Sequence, residues 1–269
     1  MNKNKITLIA EIGWNHMGNM NLAEKMIKAA KKSGADYAKF QTWSVENLTS
    51  GPWDKDGRRQ IYEKAELKFD QYQKLIKICN KNKIKFLTSL FNANDYELLK
   101  SFKLNSIKIP SPENRNSQLL KFCDKKFKKI FLSTGAASIA EIKKSIALIK
   151  NKKKTHVMHC VSSYPCEDRI VNLERINELK KITKNIGLSD HTPDILSSLF
   201  SLPYGVNVIE KHFTIDNKLP GRDNKFAILP DEMSKLRIGC DRFINMTLKN
   251  QSLLKSDYEI RKVYAGRWG

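Results

Sequence analysis

The chain has 269 residues, with 49 lysines and arginines against 28 acidic residues, a formal charge of +21, and 41% hydrophobic and 29% charged residues. That composition is ordinary for a globular protein and excludes disorder. A chain of this length needs no disulfide or metal staple, and none of its apolar runs approaches the roughly 18 residues of a membrane span.

The start, Met1–Lys5, is basic, but the apolar run that follows is stopped by Glu11, so no secretory signal is expected. Strand-like runs are predicted at Thr7–Ile12, Tyr37–Thr42, Ile84–Ser89, Ser106–Pro110, Lys129–Thr134, His156–Val161, Ile186–Asp190 and Val206–His212. Amphipathic stretches lie between them. Asn21, with Glu24 three residues on, is expected to cap the first helix, whose stripe is Leu22, Met26 and Ala29 and whose stop is Gly34. Asp70 is expected to open the helix that carries Leu75, Ile76 and Cys79. Eight strands alternating with helices predict an α/β protein with a parallel sheet, and eight strands close into a single (β/α)8 TIM barrel. No G-x-G-x-x-G or G-x-x-x-x-G-K follows a strand, which disfavours an open doubly wound sheet.

Two segments break the rhythm. Trp43 to Lys68, with Gly51-Pro52 and Asp56-Gly57, reads as a long polar βα loop, the kind that serves as a lid or binding loop. After about Leu248 the chain is a charged tail. The five cysteines are odd in number and form no C-x-x-C pair, which predicts reduced thiols and a cytoplasmic location. Lysines read as scattered through nearly every segment, without the interleaved aromatics of a nucleic-acid surface. Neither nucleic acid nor membrane is expected as a partner, although the charge would draw anionic substrates inward.

Along a barrel strand alternate residues face the axis, and those at the carboxyl end reach the active face. Period two puts Lys39 with Gln41, Ser189 with His191, and Glu210 with His212. Cys160, Ser162 and Tyr164 line up at the sixth strand, Lys108, Ser111 and Glu113 gather after the fourth, Ser133 closes the fifth, and Glu11 ends the first. A strand-end serine alone usually caps the following helix, and a lone histidine is usually a satisfied polar residue. Polar residues at nearly all eight strand ends read instead as a site. His191 and His212 can offer two imidazoles to a divalent metal. Lys39 and Lys108 can hold phosphate and carboxylate, with Ser89, Ser111, Ser133 and Ser189 donating to the oxygens. Glu113 or Glu210 can move a proton. Glu210 and its neighbour Lys211 fall on opposite faces and do not pair.

These residues sit in motifs that resemble the sialic acid synthase (N-acetylneuraminate synthase) family. The matching segments are Ala10-Glu11-Ile12-Gly13 with Asn15-His16, Lys39-Phe40-Gln41-Thr42, Ile107-Lys108-Ile109 with Ser111 and Glu113, Leu132-Ser133-Thr134-Gly135, His159-Cys160 with Tyr164-Pro165, Gly187 to Thr192, Val208 to Thr214, and Leu219-Pro220-Gly221 with Asp223. The resemblance implies a barrel that condenses phosphoenolpyruvate with an N-acetylmannosamine-like aldehyde and releases phosphate, using Mn2+ or Mg2+. It implies His191 and His212 on the metal, and Lys39, Lys108, Ser89, Ser111, Ser162 and Ser189 around phosphoenolpyruvate. Glu11, Gln41, Tyr164 and Asp223 would approach the sugar, and Glu113 would help the water that adds to C2.

Met17, Pro110, Pro112 and Arg222 depart from the family's usual residues. Family members continue into an antifreeze-like domain near where residue 269 falls. The expectation is a barrel over 1–248 and, over 249–269, a tail left from that connection. The sugar pocket would then be completed by Arg222, by the Trp43–Lys68 loop, by a homodimer partner or by a separate antifreeze-like chain. Two other readings stand beside this one: a synthase of shorter 3-deoxy-ulosonic acids, and a non-catalytic sugar-phosphate-binding barrel that needs a second chain.

Overall fold

A computed structural model describes residues 5–247 and 254–269. The boundary expected between residues 248 and 249 lies outside the described residues. In chain order come β1 (Thr7–Glu11), α1 (Met20–Lys32), β2 (Tyr37–Thr42), α2 (Arg58–Ala65), α3 (Phe69–Lys81), β3 (Lys85–Leu90) and β4 (Ser106–Ile109). Next are α4 (Ser117–Lys126), β5 (Lys129–Ser133), α5 (Ile139–Ala147), β6 (Thr155–Cys160), α6 (Asp168–Val171) and α7 (Arg175–Lys180). The last are β7 (Ile186–Asp190), α8 (Leu196–Phe200), β8 (Val208–His212), α9 (Pro230–Met246) and α10 (Lys255–Tyr264). The eight strands pair in parallel, each with the next, and β8 returns to β1 to close the barrel.

The expected strands are all present, each within two residues of its predicted ends. Local details differ for physical reasons. The cap of α1 is Asn19, whose side chain accepts from the backbone N–H of Asn21 and Leu22, so Asn21 sits inside the helix. Asp70 likewise lies in the first turn of α3, which opens at Phe69. The segment Trp43–Lys68 is more ordered than a loop, because it contains two 3-10 turns and α2. Between β3 and β4 the helical layer is reduced to 3-10 turns, Asn94–Leu98 and Lys100–Phe102.

Strand side chains alternate between two cores. Outward residues such as Leu8, Ala38, Ile107, Ile130 and Ile209 pack with helix residues such as Met26, Leu75 and Leu236 into the layer between sheet and helices. Inward residues form a separate plug near the amino ends of the strands, made of Ile9, Tyr37, Leu87, Phe131, Met158 and Val208. Each of these is at most 4% exposed, and burying one such side chain contributes roughly 1.5–3 kcal/mol. Two residues further along each strand, the inward positions turn polar. The plug thus forms the floor of a polar mouth.

The scatter of lysines read from the sequence does not survive folding. Six of the eight loops leaving the carboxyl ends of the strands hold no lysine, whereas four of the returning αβ turns, those into β3, β5, β6 and β7, are lysine-rich and those into β2 and β8 hold none.

Candidate active site

Register decides which charges meet. Glu11 is the Cα partner of Lys39 on one side and of His212 on the other, Ser89 pairs with Lys108, and Ser189 pairs with Glu210. All these positions point inward, so the side chains converge above the plug. Lys39 Nζ lies 2.6 Å from Glu11 Oε2 and 3.6 Å from Glu210 Oε2. Lys108 Nζ lies 2.7 Å from Glu210 Oε1, which also accepts from Ser189 Oγ at 2.9 Å. Gln41 Nε2 donates to Glu11 Oε1 at 2.6 Å. Lys39, Lys108 and Glu11 are each 2% exposed and Glu210 is 5%. Two ammonium groups and two carboxylates therefore meet, almost fully buried, at the bottom of one cavity.

Their protonation follows from that crowding. Burial pushes the Glu210 carboxyl up, but Lys108 and Lys39 outweigh it and hold the group to about 2. Glu11 goes the other way: burial and the Glu210 charge raise it against the pull of Lys39. Lys39 is held above its ordinary value, because its two carboxylates overcome burial. Burial instead lowers Lys108, whose one carboxylate is opposed by the Lys39 charge.

Beside this cluster stand the two histidines. His191 and His212 have ring centroids 5.5 Å apart, and Tyr164 packs on His191 at 4.1 Å. His191 Nδ1 is fixed by the Val161 carbonyl at 2.8 Å, which directs its other nitrogen at the cavity. His212 Nδ1 is buried without a hydrogen-bond partner, and the nearest carboxylate oxygen, on Asp223, is 3.5 Å away. Burial, with His191 alongside, keeps the His212 ring neutral far below its ordinary titration point. Burial also raises Asp223, to about 6, and the Trp14 indole N–H lies beside it outside hydrogen-bond geometry. Among the described residues no group of three or more His, Cys, Asp or Glu side chains is arranged to hold a metal.

A third group sits over β4, β5 and β6. Gly135 N–H donates to Ser111 Oγ at 3.1 Å, and Asn114 Nδ2 holds the Gly135 carbonyl at 2.9 Å. A Cβ at Gly135 would collide with the hydroxyls of Ser111 and Ser162, so only glycine lets backbone and hydroxyls close this cradle. Ser133 Oγ is buried there without a partner. Ser111 donates to Cys160 Sγ at 3.3 Å. Burial would raise that thiol, but His191, Ser111 and Lys108 bring it down to about 7.

These groups line one cavity of about 800 Å3, within the usual range of small-molecule sites. Of the sequence-predicted residues, Glu11, Lys39, Gln41, Ser89, Lys108, Ser111 and Glu113 line it, as do Ser133, Tyr164, Ser189, His191, Glu210, His212 and Asp223. Ser162 is exposed and does not line it, although its hydroxyl faces Gly135 beside that of Ser111. Glu113 stands at the edge, where it accepts from Asn116 Nδ2 at 2.8 Å. Glu210 and Lys211 do diverge, as period two requires: Lys211 turns outward to Asp190 at 3.2 Å and to the Thr192 carbonyl at 2.5 Å.

Sequence reasoning gave Trp14 as a wall of the sugar site and the Trp43–Lys68 segment as its cover, but missed which side chains of that segment form the roof. Tyr62 on α2 stacks on Trp14 at 5.3 Å, and Trp43 meets both edge-on. Trp53, Phe91 and Arg58 complete this outer wall. The signal was the density of aromatics in the Trp43–Lys68 segment, which a reading of it as polar loop passed over.

Comparison with known proteins agrees with this geometry. A family model described as the NeuB family matches residues 26–251. The N,N'-diacetyllegionaminic acid synthase of Campylobacter jejuni is 38% identical over 248 residues, 86% of this chain and 74% of that protein. The pseudaminic acid synthase of the same organism is 33% identical over 246 residues, 86% of this chain and 72% of that protein. The crystal structure of N-acetylneuraminic acid synthetase from Leptospira borgpetersenii, in complex with citrate, superposes with a TM-score of 0.86 at 30% identity, covering 97% of this chain and 93% of that one.

Proposed function

The chain belongs to the NeuB family, and from that premise we propose that it joins phosphoenolpyruvate to an N-acetylmannosamine-like hexosamine aldehyde, giving a nonulosonic acid and phosphate. The observation that carries this reading is the meeting of Lys39 and Lys108 with His191 and His212 in one cavity, with the hydroxyls of Ser89, Ser111, Ser133 and Ser189 beside them.

Phosphoenolpyruvate is a small trianion, and the two buried ammonium groups are its natural seat. In the free protein Glu11 and Glu210 occupy those ammoniums, and the substrate's carboxylate and phosphate would take over part of that pairing. Ser111, Ser133 and the Gly135 N–H would donate to its oxygens. The acceptor would lie further out, between Glu11 with Gln41 and Tyr164 with Asp223, its distal end under the Trp14–Tyr62 roof. A neutral, unpartnered His212 and a His191 oriented by Val161 suit Mn2+ or Mg2+ with positions left for water and substrate. Such an ion supplies a Lewis acid for the aldehyde oxygen.

The reaction balances as follows. C3 of phosphoenolpyruvate forms the new bond to the aldehyde carbon, whose oxygen gains a proton and becomes a hydroxyl. Water adds its oxygen to C2; Glu113 would accept one of its two protons, matching the one the aldehyde oxygen gains, and the other leaves with phosphate as the C2 ketone forms. The C2–O bond to phosphate then breaks, leaving the 2-keto acid and inorganic phosphate.

The test is phosphate release with phosphoenolpyruvate and either N-acetylmannosamine or a diacetamido hexose. Turnover should disappear with chelator, return with manganese, and be lost in His212→Ala. Absence of turnover with every hexosamine aldehyde in the presence of manganese would overturn the assignment.

A further inference from the structure

The amino-terminal face of the barrel, opposite the mouth, carries charge that the cavity does not use. Four αβ turns deliver it: residues 81–85, 125–129, 150–154 and 180–184, which lead into β3, β5, β6 and β7. Those twenty residues hold fourteen lysines and no carboxylate. Twelve of the fourteen are exposed; Lys129 and Lys154 are half-buried. Only Lys154 has a carboxylate within 4 Å among the described residues, Asp124 at 2.9 Å.

Two ordinary explanations fall short. Lysines in the last turn of an α-helix complement its dipole, but this covers only Lys81, Lys125, Lys126 and Lys180; of the other ten, Lys152, Lys153 and Lys154 form a single 3-10 turn and seven lie beyond the α-helix ends. A lysine-rich composition would load both ends of the barrel, yet six of the eight loops at the mouth hold no lysine. The asymmetry belongs to the surface.

The chemistry of the patch selects its partner. It contains no arginine, so it lacks the fork that reads phosphates and base edges in a groove. It exposes no large apolar or aromatic side chain either, since Ile84 and Phe127 are buried beneath it, so nothing is available to stack on bases. What remains is a field of ammonium groups at the amino ends of four strands, β3, β5, β6 and β7, suited to a broad, laterally uniform layer of anionic groups. We propose that this face docks the protein on an anionic lipid bilayer. Docked so, the cavity opens away from the lipid into water, where soluble substrates reach it.

Co-sedimentation with vesicles tests the docking without reference to catalysis. Vesicles of 30% phosphatidylglycerol in phosphatidylcholine should carry the full chain down at about 0.1 M salt, and pure phosphatidylcholine should not. Raising salt to about 0.5 M should release it, because screening then acts within a few ångström. The quadruple variant Lys125→Gln, Lys128→Gln, Lys152→Gln, Lys153→Gln should bind at least tenfold more weakly with an unchanged melting temperature. Binding equal for both vesicle types, wild-type binding by the variant, no binding to the anionic vesicles, or tighter binding to duplex RNA than to vesicles at the same salt each overturns the proposal.

Discussion

The same eight strands build both ends of the barrel, and the two ends treat charge in opposite ways. At the mouth, Lys39, Lys108, Glu11 and Glu210 are taken out of water and set against one another. At the amino end the interior is apolar, and charge stays on the rim, where Lys85 and Lys129 reach over the Tyr37 ring. A buried ion quartet is a poor source of stability, because desolvation cancels most of the attraction. An apolar plug is a good source. One end therefore holds the barrel together while the other stays poised for ligands, and the difference is open to direct measurement.

Glu210→Ala should show the largest effect. It leaves Lys108 buried without a carboxylate and Lys39 with Glu11 alone, and chemical denaturation should report a loss of about 3–5 kcal/mol. Leu87→Ala in the plug should cost about as much, 2–5 kcal/mol by cavity formation, while leaving the KM for phosphoenolpyruvate unchanged. Glu210→Ala should alter that KM, and equal kinetic behaviour of the two variants would dissolve the contrast between the ends.

Lys108→Met should come next. It keeps the volume and removes one ammonium from the anion seat, so kcat/KM should fall by about 100- to 1,000-fold. The melting temperature should move little by comparison, because a desolvated charge leaves with it.

A smaller effect is tied to pH. Burial holds the His16 ring, in the loop after β1, down to about 4 against an ordinary 6.5. The unfolded chain thus takes its proton before the folded one does. Stability is complete above pH 6.5 and declines as pH falls toward 4, and at pH 5 the loss is about 2 kcal/mol. Denaturation midpoints from pH 7 to pH 4.5 should slope less in His16→Gln than in the wild type.

The smallest change is expected from Ser133→Ala. Its hydroxyl is buried without a partner, so stability should stay within about 0.5 kcal/mol, while isothermal calorimetry should show phosphoenolpyruvate binding severalfold more weakly. A large loss of stability instead would mean that the hydroxyl serves the fold.

Most of the mouth was legible in the sequence, because period two along a strand is a rigid rule. Once Lys39, Glu210 and Ser189 fall on inward positions, closure of the barrel leaves them little choice but to meet. Residues placed by loops escaped it. Ser162 was expected at the phosphate; its hydroxyl faces Gly135 beside that of Ser111, but the side chain is exposed and does not line the cavity. The Trp43–Lys68 segment read as a polar loop because ten of its 26 residues are charged and Gly51-Pro52 and Asp56-Gly57 punctuate it, yet α2 within it brings Tyr62 onto Trp14. Asn19 rather than Asn21 caps α1, a choice set by backbone geometry two residues away. The gathering of lysines was invisible for another reason: turns some thirty residues apart become neighbours only when the barrel closes.

Three of the four tryptophans, Trp14, Trp43 and Trp53, line the cavity, whereas Trp268 is 90% exposed. The emission of the protein is thus split between one solvent-bathed indole and three that sense whatever enters. Selective quenching of Trp268 by acrylamide would leave a native optical probe of occupancy that needs no label.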